Sequence, residues 1–135
     1  MPENRAESYE IGLGMRKKVM GHPPHVEKAL GNASTFSRPL QDLVTEYAWG
    51  NVWSRPGLDL KSRSILTLGM LTALNRSNEL SGHVRAALNI GLTKEEIREV
   101  LLQTMIYCGA PAAMESFRVA EKVILEFGLE NENER

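Results

Sequence analysis

Glu79 and His83 lie four residues apart on a stretch, Ser77 to Ile90, whose apolar residues recur at helical spacing, so a carboxylate comes one turn before an imidazole. On a helical wheel Leu80, Val84, Ala87 and Leu88 form the inward stripe, while Asn78, Gly82, Arg85 and Asn89 face away. Glu79 and His83 sit on the flank, beside Ala86 and Ile90. A carboxylate next to an imidazole fixes the ring's orientation and tautomer and favours its protonated form, and desolvation works against that charge. The balance is a proton donor poised near neutral pH, which is what general acid catalysis requires. Surface ion pairs and satisfied core histidines share this spacing, so spacing alone leaves both meanings open.

A second group lies between Pro39 and Trp53, where Trp49, Trp53 and Glu46 fall on the face opposite Leu40, Val44 and Tyr47. Two indoles are too large to leave in water, so that face is expected to pack on another subunit or to wall a pocket. Arg55 follows at once, held extended by Pro56, and its guanidinium has the shape to clamp a substrate carboxylate with two hydrogen bonds. Its ordinary alternative is a helix-terminal charge favoured by the macrodipole. His22 and His25 flank Pro23 and Pro24 and read as solvated loop histidines, because two imidazoles alone do not make a metal site. Cys108, at the end of an apolar helix, reads as a core thiol, and Arg38 and Arg63 fit either function or surface pairing.

Helices must position these groups. Ile11, Met15 and Val19 predict a helix from about Tyr9 to Met20, closed by Gly21. After Pro23 and Pro24 a short helix through Val26, Ala29 and Leu30 ends near Asn32. Leu40, Leu43, Val44 and Tyr47 make the inward stripe of a helix from Pro39 to Trp53, ended by the turn at Arg55, Pro56 and Gly57. The stretch from Asp59 to about Asn75 is apolar on most sides and is expected to be the buried centre. Ser77 is placed to cap the next helix, which stops at Gly91, and Thr93 with Glu96 has the spacing of a capping box. Gly109 and Pro111 precede a last helix through Phe117, Ala120, Ile124 and Phe127, and the polar tail from Glu130 is expected to fray. With no two-residue alternation anywhere, six or seven helices form one all-α domain, with its core at about residues 9–127 and a tail at 128–135.

Aromatics are only 6% of the 135 residues, so aliphatic side chains must fill the core. Sixteen Lys and Arg against 17 Asp and Glu, scattered for a net charge of -1, leave no nucleic-acid footprint. No apolar run is long enough to span a bilayer, and Glu3, Glu7 and Glu10 stand where a signal peptide would be apolar. Cys108 is the only cysteine, which rules out a disulfide or thiolate metal cluster within one subunit and points to a reducing, cytoplasmic setting.

Several runs resemble the gamma-carboxymuconolactone decarboxylase family. They are Trp53-Ser54-Arg55-Pro56-Gly57-Leu58-Asp59, Met70-Leu71-Thr72-Ala73-Leu74-Asn75-Arg76, Glu79-Leu80 and His83-Val84-Arg85-Ala86-Ala87-Leu88-Asn89. The likeness continues through Glu95-Glu96-Ile97-Arg98-Glu99-Val100-Leu101-Leu102-Gln103 and Ile106-Tyr107-Cys108-Gly109-Ala110-Pro111-Ala112-Ala113, and covers the chain from about Tyr9 to Leu125. The resemblance implies an alkylhydroperoxidase-like all-helical subunit assembled as a homo-oligomer, commonly a trimer of dimers. It also implies a role in protocatechuate degradation: decarboxylation of 4-carboxymuconolactone to the enol-lactone of 3-oxoadipate, with no metal or other cofactor. The peroxidase branch of the superfamily carries Cys-x-x-Cys followed four residues later by His. Aligned on His83, its cysteines fall on Arg76 and Glu79 and its upstream acid falls near Ser64, so the thiols of peroxide reduction are absent.

In such a lactone the departing carboxylate sits in conjugation with the lactone carbonyl, whose oxygen can take up the electron pair. The protein must then supply a dry pocket, a donor or cation near the developing oxyanion, and an acid that protonates carbon. Under the resemblance His83 is that acid and Glu79 orients it. Arg55, with Arg38 or Arg85, holds the carboxylates, and Trp49 and Trp53 exclude water, with Glu46 on their face. The alternatives are a non-catalytic oligomeric small-molecule-binding protein of the same fold, and a decarboxylase or isomerase of another lactone acid.

Overall fold

Asn4 opens the first helix by accepting a hydrogen bond from the Glu7 amide at 2.9 Å, so α1 (Arg5–Met20) begins a turn before its apolar period does. Gly21, at φ 68°, ends it. In this computed structural model residues 4–21 and 25–133 are described; His22 lies outside them. The order continues with α2 (His25–Gly31) and α3 (Arg38–Leu43), which runs on into a π-helical segment, Val44–Trp53. Then come α4 (Leu60–Ala73), α5 (Ser77–Asn89), α6 (Lys94–Cys108) and α7 (Ala110–Asn133). Taking α3 and its extension together, the described residues hold seven helices and no strand, which is the expected all-α class. No helix is long and apolar enough to cross a membrane among the described residues. No composition break marks a boundary, yet the internal contacts form two compact units, Met1–Leu60 and Lys61–Arg135.

In the first unit α1 lies antiparallel to the π-helical segment. Its inner face is Ser8, Gly12, Arg16 and Val19, all buried, whereas Ile11 of the expected stripe is exposed. Backbone packing decides this: a methyl on Gly12 would overlap the Thr45 carbonyl and come 2.8 Å from the Gly50 nitrogen, and one on Gly50 would overlap the Ser8 carbonyl. The expected stripe of the partner helix is likewise reversed. Leu40, Leu43 and Tyr47 face outward, Tyr47 at 68% exposure, while Thr45, Trp49 and Gly50 are buried.

The second unit closes around Leu68, Leu80, Val84, Ile97, Leu101 and Val123, with Ala120 beside them. The α5 stripe is as expected, with Leu80, Val84 and Ala87 buried. Thr93 and Glu96 form the expected capping box, each backbone amide donating to the other's side chain at 3.0 Å. The Thr93 amide holds the Glu96 carboxyl below the usual glutamate range. That contribution is present above the ordinary carboxylate pKa and is lost as pH falls through the lowered one.

Three expectations fail in this unit. Only Ser64, Leu68 and Thr72 of α4 are buried, one residue per turn, so this helix is no buried centre; Ile65, Leu66, Met70 and Leu74 are exposed. Arg76, not Ser77, occupies the cap position of α5, and the Ser77 hydroxyl lies 3.5 Å from Glu115. The tail stays helical to Asn133, and Glu130 within it forms an ion pair with Arg85.

Candidate active site

His83 projects from the middle of α5, between the buried Leu80, Val84 and Ala87 on one side and Ala86 on the other. It is half-buried, with its Nδ1 shut off from solvent. Glu79, one turn earlier, is exposed, and among the described residues no hydrogen bond or ion pair joins the two. They share a flank as the wheel placed them, without a link between their side chains.

Arg85 was placed by the wheel on the outward face, but α7 reaches over it. Its guanidinium donates to both carboxylate oxygens of Glu130 and lies 5.7 Å from the centre of the Phe127 ring. A ligand carboxylate would have to displace Glu130 to reach it.

In the first unit Trp49 is buried, at 5% exposure, and Trp53 half-buried; their rings stack with centroids 4.7 Å apart at 25°. Glu46, on the same segment, accepts from Arg5 at 2.9 Å. Arg38 bonds Asp42 at 2.9 Å and reaches the Leu30 carbonyl and the Tyr9 hydroxyl at 3.4 Å; Asp42 raises its pKa above the ordinary arginine value. Arg55 stands exposed just past the end of the segment. His25 opens α2 and is exposed.

Sequence reading passed over Arg16. This residue is 8% exposed, yet its guanidinium donates to the Thr45 hydroxyl at 3.0 Å and the Gln41 side-chain oxygen at 2.9 Å. The signal was available: Ser8, Gly12 and Arg16 recur every four residues, a row of small side chains ending in a cation.

Cys108 is half-buried rather than a core thiol, and lines an open apolar groove of about 620 Å³ with Ile65, Leu66, Met70, Val100 and Tyr107. Neither this groove nor those along α6 and α7 are lined by His83 or Glu79. Among the described residues no three His, Cys, Asp or Glu side chains are grouped to hold a metal ion.

Residues 38–122 match the carboxymuconolactone decarboxylase family, a span that runs from α3 into α7 and takes in Arg38, Glu46, Trp49, Trp53, Arg55, Glu79, His83 and Arg85. The chain belongs to that family. Within and around it, the chain is similar to the 4-carboxymuconolactone decarboxylase of Acinetobacter baylyi, with 40% identity over 126 residues covering 93% of each protein. It is also similar to a nitrosuccinic acid decarboxylase of Metarhizium robertsii, with 48% identity over 116 residues, 86% of this chain and 80% of that one. Carboxymuconolactone decarboxylase family membership thus joins this chain to relatives whose named reactions both release carbon dioxide, from two different acids.

Proposed function

We propose that this chain is a carboxy-lyase that decarboxylates 4-carboxymuconolactone to the enol-lactone of 3-oxoadipate, in the catabolism of protocatechuate, without a cofactor. The observation that carries the reading is similarity to a protein of that activity along 93% of both lengths. The bond between the carboxylate and its ring carbon breaks, the electron pair moves to the lactone carbonyl oxygen, and a proton is returned to carbon. His83 supplies the proton, the Glu79 carboxylate one turn before it favours the protonated ring through its charge, and Arg55 takes a carboxylate. Arg38, which pairs with Asp42, and Arg85, which pairs with Glu130, are the further candidates for holding a carboxylate. Trp49 and Trp53, with Glu46 on the same segment, keep water from the reacting carbon.

The similarity to a nitrosuccinic acid decarboxylase favours a second reading in which the electron sink is a nitro group. Both acids carry two carboxyl groups and an electron-withdrawing oxygen function, so the demands on the protein are alike. Carbon dioxide release from each acid, measured with the full chain, decides between them. Release from the lactone alone supports the first reading, release from nitrosuccinate alone replaces it with the second, and release from neither overturns both and leaves a binding protein of the same fold or an enzyme of another lactone acid.

Assembly as a homo-oligomer, a trimer of dimers, is part of the proposal. The apolar groove between α4 and α6 and the outward Phe36, Leu40, Leu43 and Tyr47, with Phe36 at 95% exposure, are surfaces a lone subunit would not keep wet. Sedimentation is expected to give a species of several subunits, and a monomer at micromolar concentration would overturn this. A reducing cytoplasm suits the half-buried thiol of Cys108.

A further inference from the structure

Arg16 is a buried cation whose partners among the described residues, Thr45 and Gln41, are both neutral. Burial lowers its pKa, and the nearby Tyr9 offsets part of that. A methionine would fill such a place without desolvating a charge, so packing does not account for an arginine there. What an arginine adds is a rigid fork of donors able to hold two acceptors at a fixed separation.

The two acceptors stand at the place where the helix changes. Gln41 belongs to α3, and Thr45 to the first turn of the π-helical segment. The Thr45 hydroxyl donates back to the Gln41 carbonyl at 2.8 Å while accepting from Arg16. At the far end, where wide turns give way to a tight one, the Ser54 hydroxyl takes up the Gly50 carbonyl at 2.5 Å, and the Arg55 amide bonds the Val52 carbonyl at 3.0 Å. Wide turns are rare in helices and need outside support, and they recur at functional sites. Here the support comes from α1, through Gly12 and Gly50 where the backbones touch and through Arg16 at the junction.

We propose that Arg16 is a positioning residue: its fork on Gln41 and Thr45 sets where the wide turns begin, and so sets the stacking of Trp49 on Trp53. Starting the wide turns elsewhere rotates every later side chain about the helix axis, and the indoles lose their overlap. Any effect on turnover depends on the tryptophan role proposed above, whereas the stacking itself does not.

Stacked indoles give an exciton couplet in the far-ultraviolet circular dichroism, a signal that overall helix content does not produce. In Arg16→Met the couplet is expected to lose most of its amplitude with the helical minima retained, and kcat is expected to fall more than KM rises. Thr45→Val, which keeps the shape and removes the acceptor, should behave alike, and Thr45→Ser should restore the couplet; this pair decides the matter if Arg16→Met does not fold. A full couplet in Arg16→Met, or in Thr45→Val, overturns the proposal. A lost couplet with full turnover upholds the positioning by Arg16 and removes the tryptophans from the substrate's surroundings.

Discussion

Replacing His83 with alanine is expected to lower the rate of carbon dioxide release by roughly 10²–10⁴-fold while leaving the helical spectrum unchanged. The size follows from the chemistry: loss of carbon dioxide leaves an electron pair on an oxygen-stabilised carbon framework, and turnover requires a proton at carbon, which a positioned acid delivers far faster than water does. Because the imidazole acts on the reacting carbon and does not bind the acid's distant carboxylate, the loss should fall on kcat with little change in KM. Structural damage is expected to be small, since His83 is half-buried on a flank while the packing of α5 rests on Leu80, Val84 and Ala87. Glu79→Gln provides the comparison. This carboxylate is exposed and not joined to the ring, so its influence passes through solvent and the loss should be at most about tenfold. Equal turnover in wild type and His83→Ala would remove His83 from the reaction and leave the fold and family unaffected.

The helix ends were legible because each is a local chemical event. Thr93 and Glu96 satisfy one another's amides wherever the rest of the chain lies, and Gly21, at a φ that other residues resist, stops α1 by itself. Inward faces were less legible. On the helix from Arg38 to Trp53 counting apolar residues favours Leu40, Leu43 and Tyr47, yet Thr45, Trp49 and Gly50 turn inward. The reason lies in α1: Gly12 lets the two backbones touch, and that contact is invisible to a scale on which glycine counts for almost nothing. The change to wide turns, which moves Trp49 and Trp53 off a regular wheel, was hidden for the same reason. In α4 the sequence is apolar on most sides, but a small unit has room for one stripe, and Leu68 with Thr72 fills it. Hydropathy cannot distinguish a side chain buried within a subunit from one held for another surface. Of the proposed site, the Glu79 and His83 spacing came from the residues themselves. Arg16 stayed hidden because a buried cation with neutral partners gives no opposite charge at helical spacing to find it by.

Gly12→Ala is expected to destabilise the chain by about 3 kcal/mol or more, the upper end for overpacking a closed interior. Helix propensity alone gives the opposite sign, since alanine in a helix interior is favoured over glycine by roughly 0.5–1 kcal/mol. Sterics win because both obstacles are backbone: the added methyl meets the Thr45 carbonyl and the Gly50 nitrogen, and neither can swing aside as a side chain would. Relief requires α1 to lift off the π-helical segment, which also strains the hydrogen bonds from Arg16 to Thr45 and Gln41. Gly14, two residues on in α1, is exposed with nothing within 4 Å of where its methyl would stand. Gly14→Ala should therefore show the propensity gain by itself and raise stability by up to about 1 kcal/mol. Thermal melts of the two variants beside the wild type are expected to shift in opposite directions. Similar small gains from both would mean that α1 and the π-helical segment do not meet backbone to backbone, and the support assigned to α1 would fall with that contact.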